Sequence, residues 1–247
     1  MRLIILAAGY GGRLTPATDI TPKALLDIGN GITILDRQLE AAKFSGINQV
    51  HVVVGYEPEQ IEMKLRERSD LGLDLDVFYN PFYRTTNNLV SLWMARAAMV
   101  DEDFIFLNGD DVFRPSILVD LIQSSGDITA VISRKSHYDS DDAKAVTDGD
   151  VIKRFGKDIP LDEANGELIG MCAVRGVDRA IFIEILDRAI REPILLDGPP
   201  HYLAVFDGLL EAGCQLNYLE VPSDAWAEVD FQMDLDFVRT SITRLND

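Results

Sequence analysis

The stretch LIILAAGYGGRLTPATDITPKALL, residues 3–26, joins a short apolar run to a glycine-rich loop. Residues 3–8 are all apolar, which is typical of a strand that is buried on both faces of a parallel sheet. Three glycines in the loop let backbone N–H groups come close to a ligand, and Arg13 and Lys23 supply positive charge. This pattern predicts a phosphate-binding loop at the end of a buried strand.

Two familiar phosphate-binding loops do not match this stretch. The dinucleotide-binding fingerprint requires glycine at its first, third and sixth positions, but Leu14 occupies the sixth position when Gly9 is counted as the first. The ATPase loop requires glycine before its lysine and serine or threonine after it, whereas Lys23 lies between Pro22 and Ala24. The loop therefore belongs to a different class of phosphate-binding site.

The rest of the chain alternates segments of strand and helix character. Residues 50–54 and 104–107 are runs that favour strands, and residues 89–100 have a helix-forming composition. This alternation predicts one Rossmann-like, three-layer α/β/α domain over residues 1–247, with a mostly parallel mixed central sheet. A change of pattern at about 134–166 indicates a small hairpin insertion or lid, which we expect to lie over the acceptor side.

Composition excludes several function classes. The net charge of −18 argues against a nucleic-acid partner, which requires a basic surface. No apolar run approaches the length of a membrane span or of a signal-peptide core, so we expect a cytoplasmic protein without a membrane partner. The three histidines are far apart in sequence and do not have the spacing of zinc ligands.

Asp110 and Asp111 follow the buried run 104–107 through a glycine. In sheets of this kind ligands bind at the carboxyl ends of the strands, where the glycine loop and Asp110 should face each other. An Asp-Asp pair on an arbitrary loop is more often a solvated acidic turn. Its combination with a phosphate loop favours a Mg²⁺ site instead, because Mg²⁺ is usually held by carboxylates and phosphate oxygens.

The strings LAAGYGGRLTPAT, residues 6–18, and TPKALL, residues 21–26, resemble the signature LAAGxGxRLxPxTxxxPKxLL. This signature belongs to the nucleotidyltransferases that activate sugar phosphates and phosphocholine. The resemblance implies a loop that wraps a nucleoside triphosphate, with Arg13 on the phosphates and Lys23 facing the reacting groups. The residues expected to bind nucleotide in this loop are Leu6, Ala7, Ala8, Gly9, Gly11, Gly12 and Arg13.

The same resemblance implies a metal site. In the family the Asp of a Gly-Asp turn after a buried strand carries the metal, which here is Asp110. WAEVDFQMDL, residues 226–235, resembles the closing motif of the family, and Phe-Gln-Met replaces its usual Thr-Pro-Glu at the helix start. Asp230 is therefore expected to be the second ligand, and the cofactor is expected to be Mg²⁺, as two ions. The catalytic residues implied are Arg13, Lys23, Asp110 and Asp230.

Glu228 lies two residues before Asp230 on a predicted strand, so that both side chains point to the same face. It is expected to position metal-bound water near the acceptor. The alternative is an ordinary exposed strand carboxylate.

YNPFYRTTNNLVSLWMA, residues 79–95, is similar to the segment NxxYxxTNNxxSLxxA of phosphocholine and related cytidylyltransferases. Asn87, Asn88 and Ser91 open a helix and are suited to hydrogen-bonding a base or a phosphate, although they could also form a simple helix cap. Three aromatic residues could supply a surface for a quaternary ammonium group, or belong to the core. These are Phe82, Tyr83 and Trp93.

The predicted insertion carries further candidates for acceptor binding. Lys144 and Lys157 occupy places where the phosphocholine-type enzymes carry lysines, and we favour Lys157. Glu167 begins a Glu-x-x-Gly step that resembles theirs. Residues 202–206 are apolar where relatives often have an acidic pair, which leaves the acceptor open among phosphocholine, phosphoethanolamine, 2-aminoethylphosphonate and other small phosphates. The roles of Lys144 and His201 are not determined by the sequence. Lys23, Tyr83, Lys157, Glu167 and Glu228 form the expected acceptor set.

The resemblance implies that a phosphate oxygen of the acceptor attacks the α-phosphate of CTP in line and releases pyrophosphate, assisted by Mg²⁺. One alternative is a sugar-1-phosphate nucleotidyltransferase that uses UTP, dTTP or another nucleotide. Another is a glycosyltransferase or a non-catalytic nucleotide-binding regulator on a similar fold. A glycosyltransferase would carry an Asp-x-Asp motif and would not need Arg13 and Lys23, and a silent regulator would lose Asp110 or Asp230. The partners are CTP and a small phosphorylated acceptor, and a homodimer is compatible with the sequence.

Overall fold

Strands and helices alternate through the first half of the chain in the computed structural model, which describes residues 1–192, 201–241 and Leu245. The strands are β1 (Arg2–Leu6), β2 (Gln49–Val54), β3 (Asp74–Tyr79), β4 (Phe104–Asn108), β5 (Asp111–Phe113), β6 (Ile128–Ser133), β7 (Lys144–Asp148), β8 (Val151–Gly156), β9 (Gly166–Val174), β10 (Leu216–Val221) and β11 (Trp226–Glu228). The helices are α1 (Ile34–Phe44), α2 (Pro58–Glu67), α3 (Asn88–Met94), α4 (Ser116–Gln123), α5 (Asp178–Arg191), α6 (Leu203–Glu211) and α7 (Gln232–Ser241).

A nine-stranded sheet forms the middle layer, with the strand order β3-β2-β1-β4-β9-β6-β10-β8-β7. The pairs β3–β2, β2–β1, β1–β4 and β6–β10 are parallel, and β9 runs antiparallel to both of its neighbours. β1 therefore lies inside the sheet between two parallel strands, as its continuous apolar sequence predicts.

The two faces of the sheet bury separate apolar clusters, because successive side chains of each strand point to opposite faces. In β1, Ile4 and Leu6 pack with α3, α5 and α6, whereas Leu3 and Ile5 pack with α1, α2 and α4. Helices cover both faces. The predicted three-layer α/β/α arrangement with a mixed, mostly parallel sheet is confirmed.

The segment at 134–166 contributes to the central sheet. Its strands β7 and β8 pair with each other, β8 joins β10, and β7 also pairs with the start of β9 through Lys144 opposite Glu167. Because β7 pairs with both β8 and β9, the sheet bends back toward β9 at this end. The loops before β7 and after β8 reach the carboxyl ends of the parallel strands.

Several predicted boundaries differ from the structure. The helix predicted over 89–100 ends at Met94 and continues as a tighter 3₁₀ turn at Arg96–Met99. The change begins where the N–H of Ala95 donates to the carbonyl of Leu92, three residues back, instead of four. The last helix is described to Ser241, and residues 242–244 lie outside the described part. Among the described residues, no helix combines the length and apolar character that a membrane span requires.

Gly109 allows the end of β4 to lie directly against the start of the glycine loop. Its N–H donates to the carbonyl of Leu6 at 3.0 Å. A Cβ atom at this position would lie 2.8 Å from both the Cα of Ala7 and the carbonyl oxygen of Leu6. Since both of these are backbone atoms in the buried interior, only glycine fits without moving the loop.

Gly109→Ala is therefore expected to lower the free energy of unfolding by about 1–3 kcal/mol, the usual cost of overpacking. Urea unfolding followed by circular dichroism measures this change. Gly9→Ala is the matched control, because a Cβ at Gly9 has no atom within 4 Å. Equal stability of the two variants would contradict the tight contact at Gly109.

Candidate active site

A cleft of about 300 Å³ lies at the carboxyl ends of β1 and β4, next to the loops that follow these strands. The glycine loop forms one side and the residues after β4 form the other. Most of the residues that the sequence singled out line this cleft: Leu6, Ala7, Ala8, Gly9, Arg13, Lys23, Tyr83, Asn87, Asn88, Ser91, Asp110, Lys157, Glu228 and Asp230.

Gly11 and Gly12 do not line the cleft, but they determine the backbone conformation of the glycine loop. Gly11 has a φ of 68°, and a Cβ there would lie 3.2 Å from the Cβ of Lys23. Its carbonyl accepts a hydrogen bond from the hydroxyl of Thr18 at 2.8 Å. A Cβ at Gly12 would collide with the ring of Tyr10. Both glycines therefore permit the turn that brings Lys23 under the loop.

A short antiparallel ribbon of β5 and β11 places the acidic residues. Glu228 pairs with Asp111 across this ribbon, and the N–H of Val229 donates to the carbonyl of Asp110 at 3.1 Å. The register brings Asp230 next to Asp110 although the two are far apart in sequence. Carboxylate oxygens of Asp110, Glu228 and Asp230 all lie within 4.8 Å of one another.

Lys23 lies between two of these carboxylates. Its Nζ donates to Asp110 at 2.6 Å and to Asp230 at 2.5 Å, and only 11% of its side chain is exposed. Burial alone would lower the pKa of Lys23, but the charges of Asp110 and Asp230 outweigh this effect and raise it. Arg13 binds the other oxygen of Asp230 at 2.9 Å. The cationic and acidic sides of the cleft therefore neutralise each other.

Among the described residues, Glu228 forms no ion pair, unlike Asp110 and Asp230, which pair with Lys23. The side chain of Glu228 is exposed within the cleft, and the cleft walls surround the carboxylate. Burial, followed by the charges of Asp110 and Asp230, raises its pKa to about 8. Burial also raises the pKa of Asp111 well above its usual value, with further contributions from Asp110 and Glu228.

The opposite wall of the cleft is made of amide and hydroxyl groups at the start of α3. Asn87 caps this helix by accepting the N–H of Asn88 at 2.8 Å. Ser91 accepts a hydrogen bond from the amide of Asn80 at 3.0 Å. Asn88 accepts the N–H of Tyr202 at 3.1 Å and lies 2.7 Å from Nε2 of His201. These side chains cap the helix and at the same time line the cleft.

The lysines predicted in the insertion have different surroundings. Lys157 lines the cleft and pairs with Asp141 at 3.1 Å, and Asp141 also pairs with Arg13 at 3.0 Å. Lys144 is 1% exposed and donates to the carbonyl of Lys157 at 2.6 Å. Lys144 therefore shapes the loop that presents Lys157, and it does not line the cleft.

Glu167 lies outside the main cleft. It borders a second cavity of about 50 Å³, here called the side chamber, which shares Asn108, Asp141, Lys157, His201 and Glu228 with the cleft. Glu167 pairs there with Lys135 at 2.9 Å, and burial raises its pKa to about 7. The other residues around the side chamber include Asp111, Asp142, Gly170, Tyr202 and Trp226.

The three aromatic residues considered for a quaternary ammonium group do not form one surface. Tyr83 lines the cleft, and Phe82 is exposed. Trp93 is covered by the guanidinium of Arg96, 3.7 Å from the ring centroid, and its Nε1 donates to Asp187 at 2.7 Å. Of the two alternatives for Trp93, the structure has it packed against the core with its indole facing α5.

A sequence model of the nucleotidyl transferase family matches residues 2–142. The chain belongs to the nucleotidyl transferase family. This nucleotidyltransferase is 29% identical over 259 aligned positions to the CTP:phosphoglutamine cytidylyltransferase of Campylobacter jejuni. The alignment covers 96% of this chain and 98% of that protein. It is 38% identical over 114 positions to the choline-phosphate cytidylyltransferase of Streptococcus pneumoniae, over 44% of this chain and 47% of that protein.

The fold of the nucleotidyltransferase is also that of a solved relative. The inositol-1-phosphate CTP transferase of T. maritima superposes with a TM-score of 0.80 at 20% identity, over 99% of this chain and 95% of that one. The family expected from the glycine loop is confirmed, and so is the similarity to phosphocholine-type enzymes.

Some residues of the nucleotidyltransferase site were not predicted. Asn80 is 1% exposed and lies within the segment 79–95, but it was not singled out. Asn108 precedes the Gly-Asp turn directly and also lines the cleft. Asp141 belongs to an acidic loop with no motif that distinguishes it from a solvated one. Sequence position could have indicated the first two.

The contribution of Glu228 to the stability of the metal-free nucleotidyltransferase is expected to fall as the pH rises from about 4.5 to about 8. A folded-state pKa raised to about 8 means that Glu228 stabilises the fold only while it is protonated, and this contribution is lost as it ionises. Glu228→Gln avoids the loss. In the presence of EDTA the variant should melt about 2–4 °C above the wild type at pH 8.5 and at the same temperature at pH 4.5.

Differential scanning calorimetry at both pH values checks this prediction. Glu163→Gln serves as the control, because Glu163 is fully on the surface of a loop away from the cleft. A variant Glu228→Gln that is no more stable at pH 8.5 would show that the Glu228 carboxylate is well solvated in the folded protein.

Proposed function

We propose that the protein transfers the cytidylyl group of CTP to a small phosphomonoester or phosphonate and releases pyrophosphate. The observation that carries this proposal is the cleft in which Lys23 and Arg13 face Asp110 and Asp230 beneath the glycine loop. A relative that matches along nearly the whole chain supports it, since that protein is named as a CTP:phosphoglutamine cytidylyltransferase.

The chemistry needs no nucleophile from the protein. An oxygen of the acceptor phosphate forms a bond to the α-phosphorus of CTP, and the bond between that phosphorus and the bridging oxygen breaks in line, so that the electron pair leaves with pyrophosphate. The protein contributes alignment and charge neutralisation. Arg13 and Lys23 are placed to bind phosphate oxygens once these replace their present carboxylate partners.

The acidic group fits Mg²⁺. Three carboxylate oxygens within 4.8 Å of one another, from Asp110, Glu228 and Asp230, are hard donors of the kind that Mg²⁺ prefers. We propose Asp110 and Asp230 as the ligands of two Mg²⁺ ions, with Glu228 beside them. The metal would neutralise charge on the triphosphate. Lys23, which now bridges Asp110 and Asp230, would be freed to approach the reacting phosphates.

The base is proposed to meet the amide wall at the start of α3. Asn87, Asn88 and Ser91 offer donors and acceptors on one side of the cleft, opposite the acidic group. Asn80 lies behind them and fixes the hydroxyl of Ser91. A pyrimidine edge can be distinguished by such paired donors and acceptors, whereas the phosphates require the cations across the cleft.

The proposed function is tested by combining four nucleotides with several acceptors. CTP, UTP, ATP and GTP are each incubated with phosphocholine, phosphoethanolamine, 2-aminoethylphosphonate, sugar 1-phosphates and polyol phosphates, with Mg²⁺ or EDTA, and pyrophosphate release is measured. We expect turnover only with CTP, a non-sugar acceptor and Mg²⁺. Turnover of sugar 1-phosphates alone would replace the proposal by a sugar-1-phosphate nucleotidyltransferase, and no turnover in any combination would refute it.

Lys23→Ala is expected to lower kcat at least about 100-fold, because it removes the positive charge that stabilises the reacting phosphates. The matched control is Lys43→Ala, at an exposed position of α1. Steady-state kinetics with CTP and the best acceptor measure the loss, and circular dichroism verifies that the variant is folded. A folded Lys23→Ala protein with a kcat near that of the wild type would remove Lys23 from the mechanism.

A further inference from the structure

The side chamber contains a carboxylate oxygen without a partner. Asp111 is 1% exposed, and its Oδ2 atom is buried with no hydrogen-bond partner in the described part of the chain. An unmade hydrogen bond of a buried acceptor is costly, because the group has lost its water. Asp111 borders the side chamber, so that its carboxyl group lies next to the space that a group entering from the cleft would occupy.

The cations near the chamber are already engaged by other carboxylates. Lys135 binds Asp142 at 2.7 Å and Glu167 at 2.9 Å, Lys157 binds Asp141, and Lys23 binds Asp110 and Asp230. Glu228 borders both the cleft and the chamber, and no ion pair with it is found among the described residues. Asp111 and Glu228 thus leave two carboxyl groups at the chamber without a cationic partner among the described residues.

Gly170 lets the backbone of β9 lie directly against the carboxyl group of Asp111. Gly170 has a φ of 75°, and a Cβ atom there would lie 2.6 Å from Oδ2 of Asp111. A residue other than glycine would displace the carboxylate or fill the space next to it. The cavity of about 50 Å³ holds roughly three or four water-sized groups, enough for a short amine-bearing chain.

The chamber does not have the aromatic walls that recognise quaternary ammonium groups. Apart from the imidazole of His201, the aromatic side chains among its described residues are Tyr202 and Trp226. The ring of Tyr202 is already packed against Phe106, at 5.2 Å, and against His201, at 4.5 Å. One remaining indole does not form a cage, and a trimethylammonium group has no N–H to offer to Asp111.

We propose that the side chamber binds a protonated primary amine of the acceptor, which donates N–H hydrogen bonds to Asp111 and lies beside Glu228. This inference rests on the proposed function, since the acceptor phosphate must lie in the adjoining cleft. Glu228 and Lys157 line both spaces, so that a short chain can join the phosphate to the amine. The acceptor is therefore a zwitterion with an N–H-donating cation, and neither a neutral alcohol phosphate nor a quaternary ammonium phosphate.

Four acceptors that share an ethyl phosphate backbone test the proposal: phosphoethanolamine, its N,N-dimethyl derivative, phosphocholine and 2-hydroxyethyl phosphate. Each is assayed for pyrophosphate release with CTP and Mg²⁺. We expect kcat/KM to fall with methylation and to be about 10- to 100-fold lower for phosphocholine than for phosphoethanolamine, the usual cost of losing a hydrogen bond to a charged group. 2-Hydroxyethyl phosphate should be lower by a similar factor.

The variant Asp111→Asn removes the charge with little change in shape. It should raise the KM for phosphoethanolamine about 10-fold, reduce the preference over phosphocholine and leave kcat within a few-fold of the wild type. Asp120→Asn, at an exposed position of α4, is the control. The measurements on the wild type stand by themselves if Asp111→Asn does not fold.

The outcomes separate this inference from the proposed function. Equal use of phosphocholine and phosphoethanolamine, or a preference for phosphocholine, would overturn the inference and leave cytidylyl transfer intact. A preference for phosphoethanolamine that persists unchanged in folded Asp111→Asn would overturn the role of Asp111. Turnover of none of the four acceptors, with sugar 1-phosphates active instead, would overturn the inference together with the proposed function.

Discussion

The ammonium group of Lys23, held between Asp110 and Asp230, is the interaction on which the geometry of the cleft depends. Three carboxylates converge within a few ångströms and would repel one another strongly without a cation. Lys23 offsets this repulsion and joins three separate parts of the chain, the glycine loop, the end of β4 and the end of β11. The cationic and acidic sides of the cleft therefore determine each other's position.

The distribution of charge over the cleft and the side chamber matches a substrate with two opposite charges. The cleft gathers Arg13, Lys23 and Lys157 in a protein whose net charge is −18. The chamber beside it is lined by Asp111, Asp142, Glu167 and Glu228, and Lys135 pairs with Asp142 and Glu167. The cations of the cleft suit phosphate groups, and the carboxyl groups of the chamber suit the amine that we propose as its ligand. The overall negative charge makes such local separation necessary for any anionic ligand.

The central parts of the fold and cleft could be predicted because their signals are local in sequence. Residues 3–8 have the composition of an internal strand, and Arg13, Lys23, Asp110 and Asp230 all lie in strings that resemble one family. The structure brings these four side chains together in one cleft. The alternation of strand and helix patterns was sufficient to predict the layers, since buried strands and amphipathic helices carry clear periodicity.

The remaining features depend on contacts that no local pattern encodes. β5 has three residues, too few for periodicity, and it forms only because β11 pairs with it. Glu167 lies beside the chamber and outside the cleft, because the pairing of β7 with β9 turns it toward Lys135. The close approach of the backbone to Asp111 depends on Gly170, almost sixty positions later in the chain. Trp93 faces α5 because Asp187 accepts its N–H.

The ion pair of Lys23 with Asp230 spans 207 positions of sequence. Contacts of such separation form late when a chain folds, since the loop between the partners must first be ordered. A partly folded chain that has built β1 and the glycine loop still lacks the ribbon of β5 and β11, and with it the complete acidic group. A ligand that needs both sides of the cleft therefore binds only the state in which both sides are assembled, and its binding stabilises the native state alone.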